Sequence, residues 1–142
     1  MTRIDFYLEA PDKLAVACRL VGKALGAGKR VCVYAPDETA ARAVDRLLWT
    51  TPAIAFLPHC MAHDPLAAET PVVIAREADP PPGHDDVLVN LHHEWPGFFP
   101  RFARLLEIVG PDEDDKAAAR ARFRAYRDRG YPIHTHDLAA GE

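Results

Sequence analysis

The sequence of 142 residues contains no serine, only three cysteines and no long apolar run. Without serine, the Gly-x-Ser-x-Gly elbow of serine hydrolases is excluded. The cysteines are widely spaced and odd in number, which favours reduced thiols in a cytoplasmic protein over a disulfide framework. A membrane-spanning helix needs about 18 or more consecutive apolar residues, and the first residues do not read as a secretory signal. We therefore expect a cytoplasmic protein that does not span a membrane.

Residues that could carry out chemistry are few and poorly spaced. His59, Cys60 and His63 fit the paired spacing of a zinc site only loosely, so ordinary loop histidines are the favoured interpretation. Cys60 beside a histidine could form a nucleophile pair, but no oxyanion-hole motif accompanies it. Gly26 and Gly28 follow a predicted helix, whereas a phosphate-binding loop precedes its helix. We predict a protein without catalytic residues, metal or cofactor.

The order of apolar patterns predicts an α/β domain. Helical spacing marks residues 13–27 and 38–49, and strand patterns lie between and after them. The predicted strands are 3–8, 30–34, 53–57, 72–75, 87–91 and 133–138. Residues 58–71 are predicted to be irregular, and 101–109 fits a short helix, a strand, or one running into the other. Short links between alternating strands and helices favour a single domain, 1–142, with a mostly parallel sheet flanked by helices and a frayed end at 139–142.

The segment 111–131 has the clearest local signature, that of a basic helix. Four acidic residues stand where the helix would begin, alanines fill its middle, and Gly130 follows its end. Six basic residues and one acid occupy the helix from position 116 onward; the basic residues are Lys116, Arg120, Arg122, Arg124, Arg127 and Arg129. Lys116, Arg120 and Arg124 are four residues apart and share one face, with Phe123 and Tyr126 at its border.

A cationic stripe beside aromatic rings suits an anion that also carries an apolar group. Candidates are an acidic peptide, a chain-terminal carboxylate or a nucleic acid. The alternative is a solvated charged face whose Phe123 and Tyr126 belong to the core. Because the whole chain has a net charge of -4, the remainder outside this helix is strongly acidic. That segregation favours an acidic protein segment over duplex DNA as the partner.

Two further aromatic clusters leave core and interface roles open. Trp49 and Phe56 flank a link that is broken by proline, and Phe98 and Phe99 lie between two prolines. Tryptophan is enriched at protein interfaces. Large aromatic rings are nevertheless more often buried in the core, so the pattern alone does not decide between the two.

Several stretches, in order along nearly the whole chain, resemble the chi subunit of bacterial DNA polymerase III, a clamp-loader accessory protein. The matching pieces are FYL at 6–8, GKRV at 28–31, LLW at 47–49, FLPH at 56–59, VLVNL at 87–91, EIV at 107–109 and AARARFRAYRDRGY at 118–131. The proline-rich region 61–83 matches poorly, and no family role is carried over to it. The resemblance implies a Rossmann-like, mononucleotide-binding-like fold without known catalysis.

The resemblance also implies two surfaces for protein partners. One would receive the acidic C-terminal tail of single-stranded DNA-binding protein, which ends in Phe; the matching residues are Val109, Lys116, Arg120, Phe123 and Arg124. The other would bind the psi subunit of the clamp loader; its residues are Trp49, Phe56, Pro58 and His59. Phe123 and Arg124 stand where the family often has Tyr and Lys, so the ring and the charge are kept while the hydroxyl is lost.

The implied function is that of a non-catalytic adaptor which links the clamp loader to single-stranded DNA-binding protein during DNA replication. Such a protein would be a monomer alone, a heterodimer with psi, and in contact with DNA only indirectly. A direct single-stranded nucleic-acid-binding module would use the same arginines and bind with a steep salt dependence. An enzyme acting on nucleotide-like substrates would follow from the fold alone, which is a weak argument because one fold serves many functions.

Overall fold

Seven parallel strands form one sheet in this computed structural model, which describes residues 1–50, 58–78, 80 and 82–140. The strands are β1 Arg3–Leu8, β2 Val31–Tyr34, β3 His59–Met61, β4 Val72–Ala75, β5 Val87–Asn90, β6 Arg104–Ile108 and β7 Ile133–Asp137. Their order across the sheet is β3-β4-β2-β5-β6-β1-β7. The helices are α1 Lys13–Gly26, α2 Glu38–Thr50 and α3 Glu113–Asp128, with short 3-10 turns at Ala67–Glu69, Phe99–Arg101 and Leu138–Ala140.

Helices cover both faces of the sheet. α1 and α2 pack on one face, whereas α3 and the aromatic segment around Phe99 pack on the other. Because successive strand residues point to opposite faces, Val31 and Val33 join the first layer while Cys32 and Tyr34 join the second. Central parallel strands are therefore buried on both faces, which explains why β2, β4 and β5 are nearly continuous apolar runs.

The predicted fold class is confirmed, and most predicted elements end within one residue of the observed ones. The ambiguous stretch 101–109 contains strand β6. The irregular conformation predicted for 58–71 is wrong at His59–Met61, which pairs with β4 at one edge of the sheet. Three residues are too few for an alternating pattern to be visible. The strand predicted at 53–57 lies outside the described residues.

The start of α3 is anchored to the rest of the fold by its acidic first turn. Asp112 caps the helix by accepting a hydrogen bond from the Asp114 backbone N–H. Asp115 is buried and accepts hydrogen bonds from the Gly110 N–H at 2.7 Å and from Lys13 Nζ of α1 at 3.0 Å. Burial opposes ionisation of Asp115, but these bonds lower its pKa overall. They hold the first turn of α3 against α1 and against Gly110, which follows β6.

Candidate functional site

Helix α3 presents two chemically different faces. Ala119, Arg122 and Tyr126 are buried against the sheet, at the three- and four-residue spacing of one helix face. Arg120 and Arg124 are exposed on the other side. Tyr126 therefore belongs to the core, as the alternative interpretation of the sequence expected.

Arg122, one of the six basic residues counted on this helix in the sequence, is buried in the structure. Its guanidinium is paired with Glu107 of β6, with 3.0 Å between Nε and Oε1, and Nη1 donates to the His93 carbonyl at 2.7 Å. The Tyr126 hydroxyl and the Asn90 amide donate to the same carboxylate, at 2.5 Å and 3.1 Å. Burial raises the pKa of Glu107, and the Arg122 charge opposes that shift. This cluster stabilises the fold and leaves no role for Arg122 on the exposed face.

A pocket opens between α3, the ends of β1 and β6, and the edge strand β7. Its volume is about 310 Å³, and it is lined by Phe6, Leu8, Glu9, Val109, Lys116, Ala119, Arg120, Phe123 and Thr135. Phe6, Val109 and Ala119 are buried and form its apolar base. The Phe123 ring lies 5.4 Å from that of Phe6, measured between centroids. Such a size and lining, apolar with a few charged groups, is typical of a small binding site.

The charged groups of the pocket come from α3 and from the end of β1. Lys116 Nζ lies 2.8 Å from Glu9 Oε1, and this hydrogen bond raises the pKa of the Lys116 ammonium. The Arg120 side chain is one helical turn further along and exposed. Two cations thus stand beside an apolar hollow, which can accept an anionic group and a hydrophobic group of the same ligand.

Four of the five residues assigned to a tail pocket from the sequence line this one cavity: Val109, Lys116, Arg120 and Phe123. Arg124 is exposed and does not line it. Phe6 and Leu8 were missed, although their alternation along β1 could have placed them on one face. Thr135 is the parallel partner of Phe6 in β7, and local patterns carry no signal for that pairing.

A second surface lies at the opposite edge of the sheet, where α2 ends beside β3. Trp49 is 56% exposed, and its ring centroid is 4.5 Å from that of His59. The His59 side chain is buried, with Nε2 3.3 Å from Asp45 Oδ1, and Pro58 is exposed next to it. The structure therefore brings together Trp49, Pro58 and His59, while Phe56 lies outside the described residues.

The two surfaces are well separated. Strands β3 and β1 are five strand positions apart, or about 24 Å at the usual spacing between strands. Trp49 is also on the helix layer formed by α1 and α2, whereas the pocket is on the α3 layer. Two partners could occupy these surfaces at the same time.

Comparison with known proteins decides the family. The family model described as "DNA polymerase III chi subunit, HolC" matches residues 1–134. The chain belongs to this chi family. It is 41% identical to the DNA polymerase III subunit chi of Pseudomonas aeruginosa, over 97% of this chain and 98% of that protein. The Escherichia coli subunit chi is 30% identical over 90% of this chain and 86% of its own length.

The chi-family match confirms the resemblance drawn from the sequence motifs. It spans all of α2, β3 and α3, so both surfaces lie almost wholly within it. Among the described residues that line the pocket, Thr135 alone lies beyond the matched range. In the part of the chain that the structure describes, no helix is long and apolar enough to cross a membrane.

Proposed function

We propose that this chain is a non-catalytic accessory subunit of DNA polymerase III in the cytoplasm, and that its α3 pocket binds the acidic tail of single-stranded DNA-binding protein. Membership of the chi family supports a place in the polymerase assembly. The observation that carries the ligand assignment is the convergence of Val109, Lys116, Arg120 and Phe123 on one pocket. An apolar base beside two cations complements a chain end that combines an aromatic ring with carboxylates.

In this proposal the terminal Phe ring of the tail enters the space between Val109, Phe6 and Phe123. Burying one such ring contributes about 1.5–3 kcal/mol. The terminal carboxylate and the preceding acids meet Arg120 and Lys116 at the rim, where charge-assisted hydrogen bonds form. Arg120 is suited to hold a carboxylate through two parallel N–H groups. Arg124, one turn further along α3, lies beyond the cavity and contacts acids upstream in the tail.

The surface around Trp49 is proposed to bind the psi subunit, with Phe56, Pro58 and His59 as further contacts. Tryptophan is highly buried on average, and it is enriched among the residues that contribute most to binding at protein interfaces. The ring packs on that of His59, 4.5 Å away between centroids. The subunit would be a monomer alone and a heterodimer with psi, and its link to DNA would be indirect.

The test is fluorescence anisotropy with a labelled acidic peptide that ends in Pro-Phe, beside a second peptide that lacks the terminal Phe. We expect saturable binding of the first and much weaker binding of the second. Equal binding of both peptides would mean that they bind only to a diffuse basic surface. Binding to a single-stranded oligonucleotide would then be measured as a function of salt concentration. Absence of binding to either peptide would reject the tail assignment.

A further inference from the structure

The pocket proposed to receive an acidic tail contains an acid of its own. Glu9 is the single acidic residue among the described residues that line it. Its Oε1 lies 2.8 Å from Lys116 Nζ, so one of the two rim cations already has a carboxylate partner. A ligand carboxylate that approaches Lys116 meets an occupied ammonium group and a like charge.

The backbone holds Glu9 at this position. Its φ is +59°, in the left-handed region that residues with a Cβ rarely adopt and that often marks ligand sites. Hydrogen bonds fix the chain on both sides: the Val109 N–H donates to the Tyr7 carbonyl and the Ala10 N–H donates to the Val109 carbonyl, each at 2.8 Å. The segment that follows β1 is thus fastened to the end of β6, and Glu9 is kept at the pocket mouth.

The Glu9–Lys116 pair is not needed for the stability of the fold. The two side chains are 36% and 31% exposed, and ion pairs at that exposure contribute little because solvent screens them. Asp115 and Asp112 already anchor the first turn of α3. The pair lies at the mouth of the pocket, where Glu9 holds the position that a ligand carboxylate would take on Lys116.

We propose that Glu9 is a built-in competitor that occupies Lys116 in the unbound subunit and lowers its affinity for acidic ligands. This inference rests on the proposed function of the pocket. An acidic tail must displace Glu9 from Lys116 and then remains close to the Glu9 carboxylate. Repulsion between these like charges offsets part of the attraction between the tail and Lys116. The binding of an acidic ligand is weakened, while its apolar contact with the base of the pocket is kept.

The experiment measures the affinity of the labelled acidic peptide ending in Pro-Phe for the wild-type protein and for Glu9→Gln. Gln keeps the size of the side chain and removes its charge. We expect the Kd to fall about two- to fivefold at low salt, the range set by exposed ion pairs, and the gain to shrink as salt rises. Glu38→Gln is the matched control, because it removes the same charge from α2, where Glu38 is paired with Arg42; its Kd should not change.

A second comparison, made in a protein that lacks Lys116, separates competition for the Lys116 ammonium from general repulsion between carboxylates. In Lys116→Met, the change Glu9→Gln should lower the Kd by clearly less than it does in the wild type, because no ammonium is left to release and only the repulsion between carboxylates remains. A gain of the same size in that background would overturn the proposal. So would an unchanged Kd of Glu9→Gln when the wild type binds, and the tail assignment would then stand. If the wild type and Glu9→Gln both fail to bind, the two proposals fall together. Glu9→Asn, which tolerates a positive φ, repeats the test should Glu9→Gln not fold.

Discussion

Arg120 and Arg122 are two positions apart on α3 and have opposite environments. Arg122 is 3% exposed and paired with Glu107 at 3.0 Å, whereas Arg120 is exposed at the mouth of the pocket. Two residues turn a helix by about 200°, so one arginine points into the protein and the other into solvent. The same side chain stabilises the fold on one face and is available to a ligand on the other, and a count of charges cannot tell these roles apart.

The largest effect is expected from Arg122→Met. It leaves the Glu107 carboxylate buried without its cation, and breaking one side of a buried ion pair lowers the free energy of unfolding by about 3–5 kcal/mol. Urea denaturation measures the loss. Arg124→Met is the matched control, because Arg124 is an exposed residue of the same helix, and its unfolding free energy should hardly change.

A double variant checks the physical reason. Replacing Glu107 by leucine in the Arg122→Met protein removes the buried charge and should recover part of the lost stability. If Arg122→Met alone costs less than about 1 kcal/mol, well under the range for a broken buried pair, the distinction between the two faces of α3 would not hold.

The next effect in size is that of Tyr126→Phe. The hydroxyl donates to Glu107 Oε2 at 2.5 Å, and hydrogen bonds to charged groups contribute about 1.5–3 kcal/mol. Chemical denaturation should show a loss of that order, with the peptide affinity unchanged because Tyr126 does not line the pocket. Tyr131→Phe is the matched control, because it also removes one hydroxyl, here from a half-buried ring that packs on Phe99. Equal losses in the two variants would contradict a special role for the Glu107 contact.

The fold was predictable from the sequence wherever a helix or strand can be recognised from the residues within it. The strands of the core are continuous apolar runs and the helices have caps and periodicity, so their bounds are correct within about one residue of those observed. Glu107 shows the limit. It lies in the stretch 101–109, which fitted a short helix, a strand, or one running into the other, and its buried partner Arg122 lies on another element to which local patterns do not connect it.

The candidate site was predictable in part for the same reason. Lys116, Arg120 and Phe123 follow from the spacing on α3 and Val109 from the family motif, and all four line the pocket. Glu9 and Thr135 complete it only because β1 lies between β6 and β7. That order joins segments about a hundred residues apart, as in the bond from Arg104 Nε to Asp5 Oδ2, and local periodicity does not encode it.

On the exposed face, Arg120→Ala should weaken binding of the acidic peptide and leave stability unchanged. Loss of charge-assisted contacts at a partly solvated rim is expected to cost about 1–2 kcal/mol, or roughly five- to thirtyfold in Kd. Fluorescence anisotropy gives the affinity and urea denaturation the stability. Arg127→Ala is the control, since Arg127 is exposed on the same helix and outside the pocket. An equal loss in both variants would point to a diffuse basic surface.

The smallest loss of peptide affinity is expected for Arg124→Ala, and this variant gives the most direct comparison with Arg120→Ala. Arg124 belongs to the same face as Arg120 by spacing but does not line the pocket, so its contact with a tail is made through solvent-screened charge. Such contacts are worth about 1 kcal/mol or less, and the loss should fade when salt is raised. The loss caused by Arg120→Ala should persist better under the same conditions, because its partner sits against apolar residues. If the two variants lose the same affinity at every salt concentration, the pocket would not be the organising feature of this surface, and the whole basic stripe of α3 would have to be treated as one site.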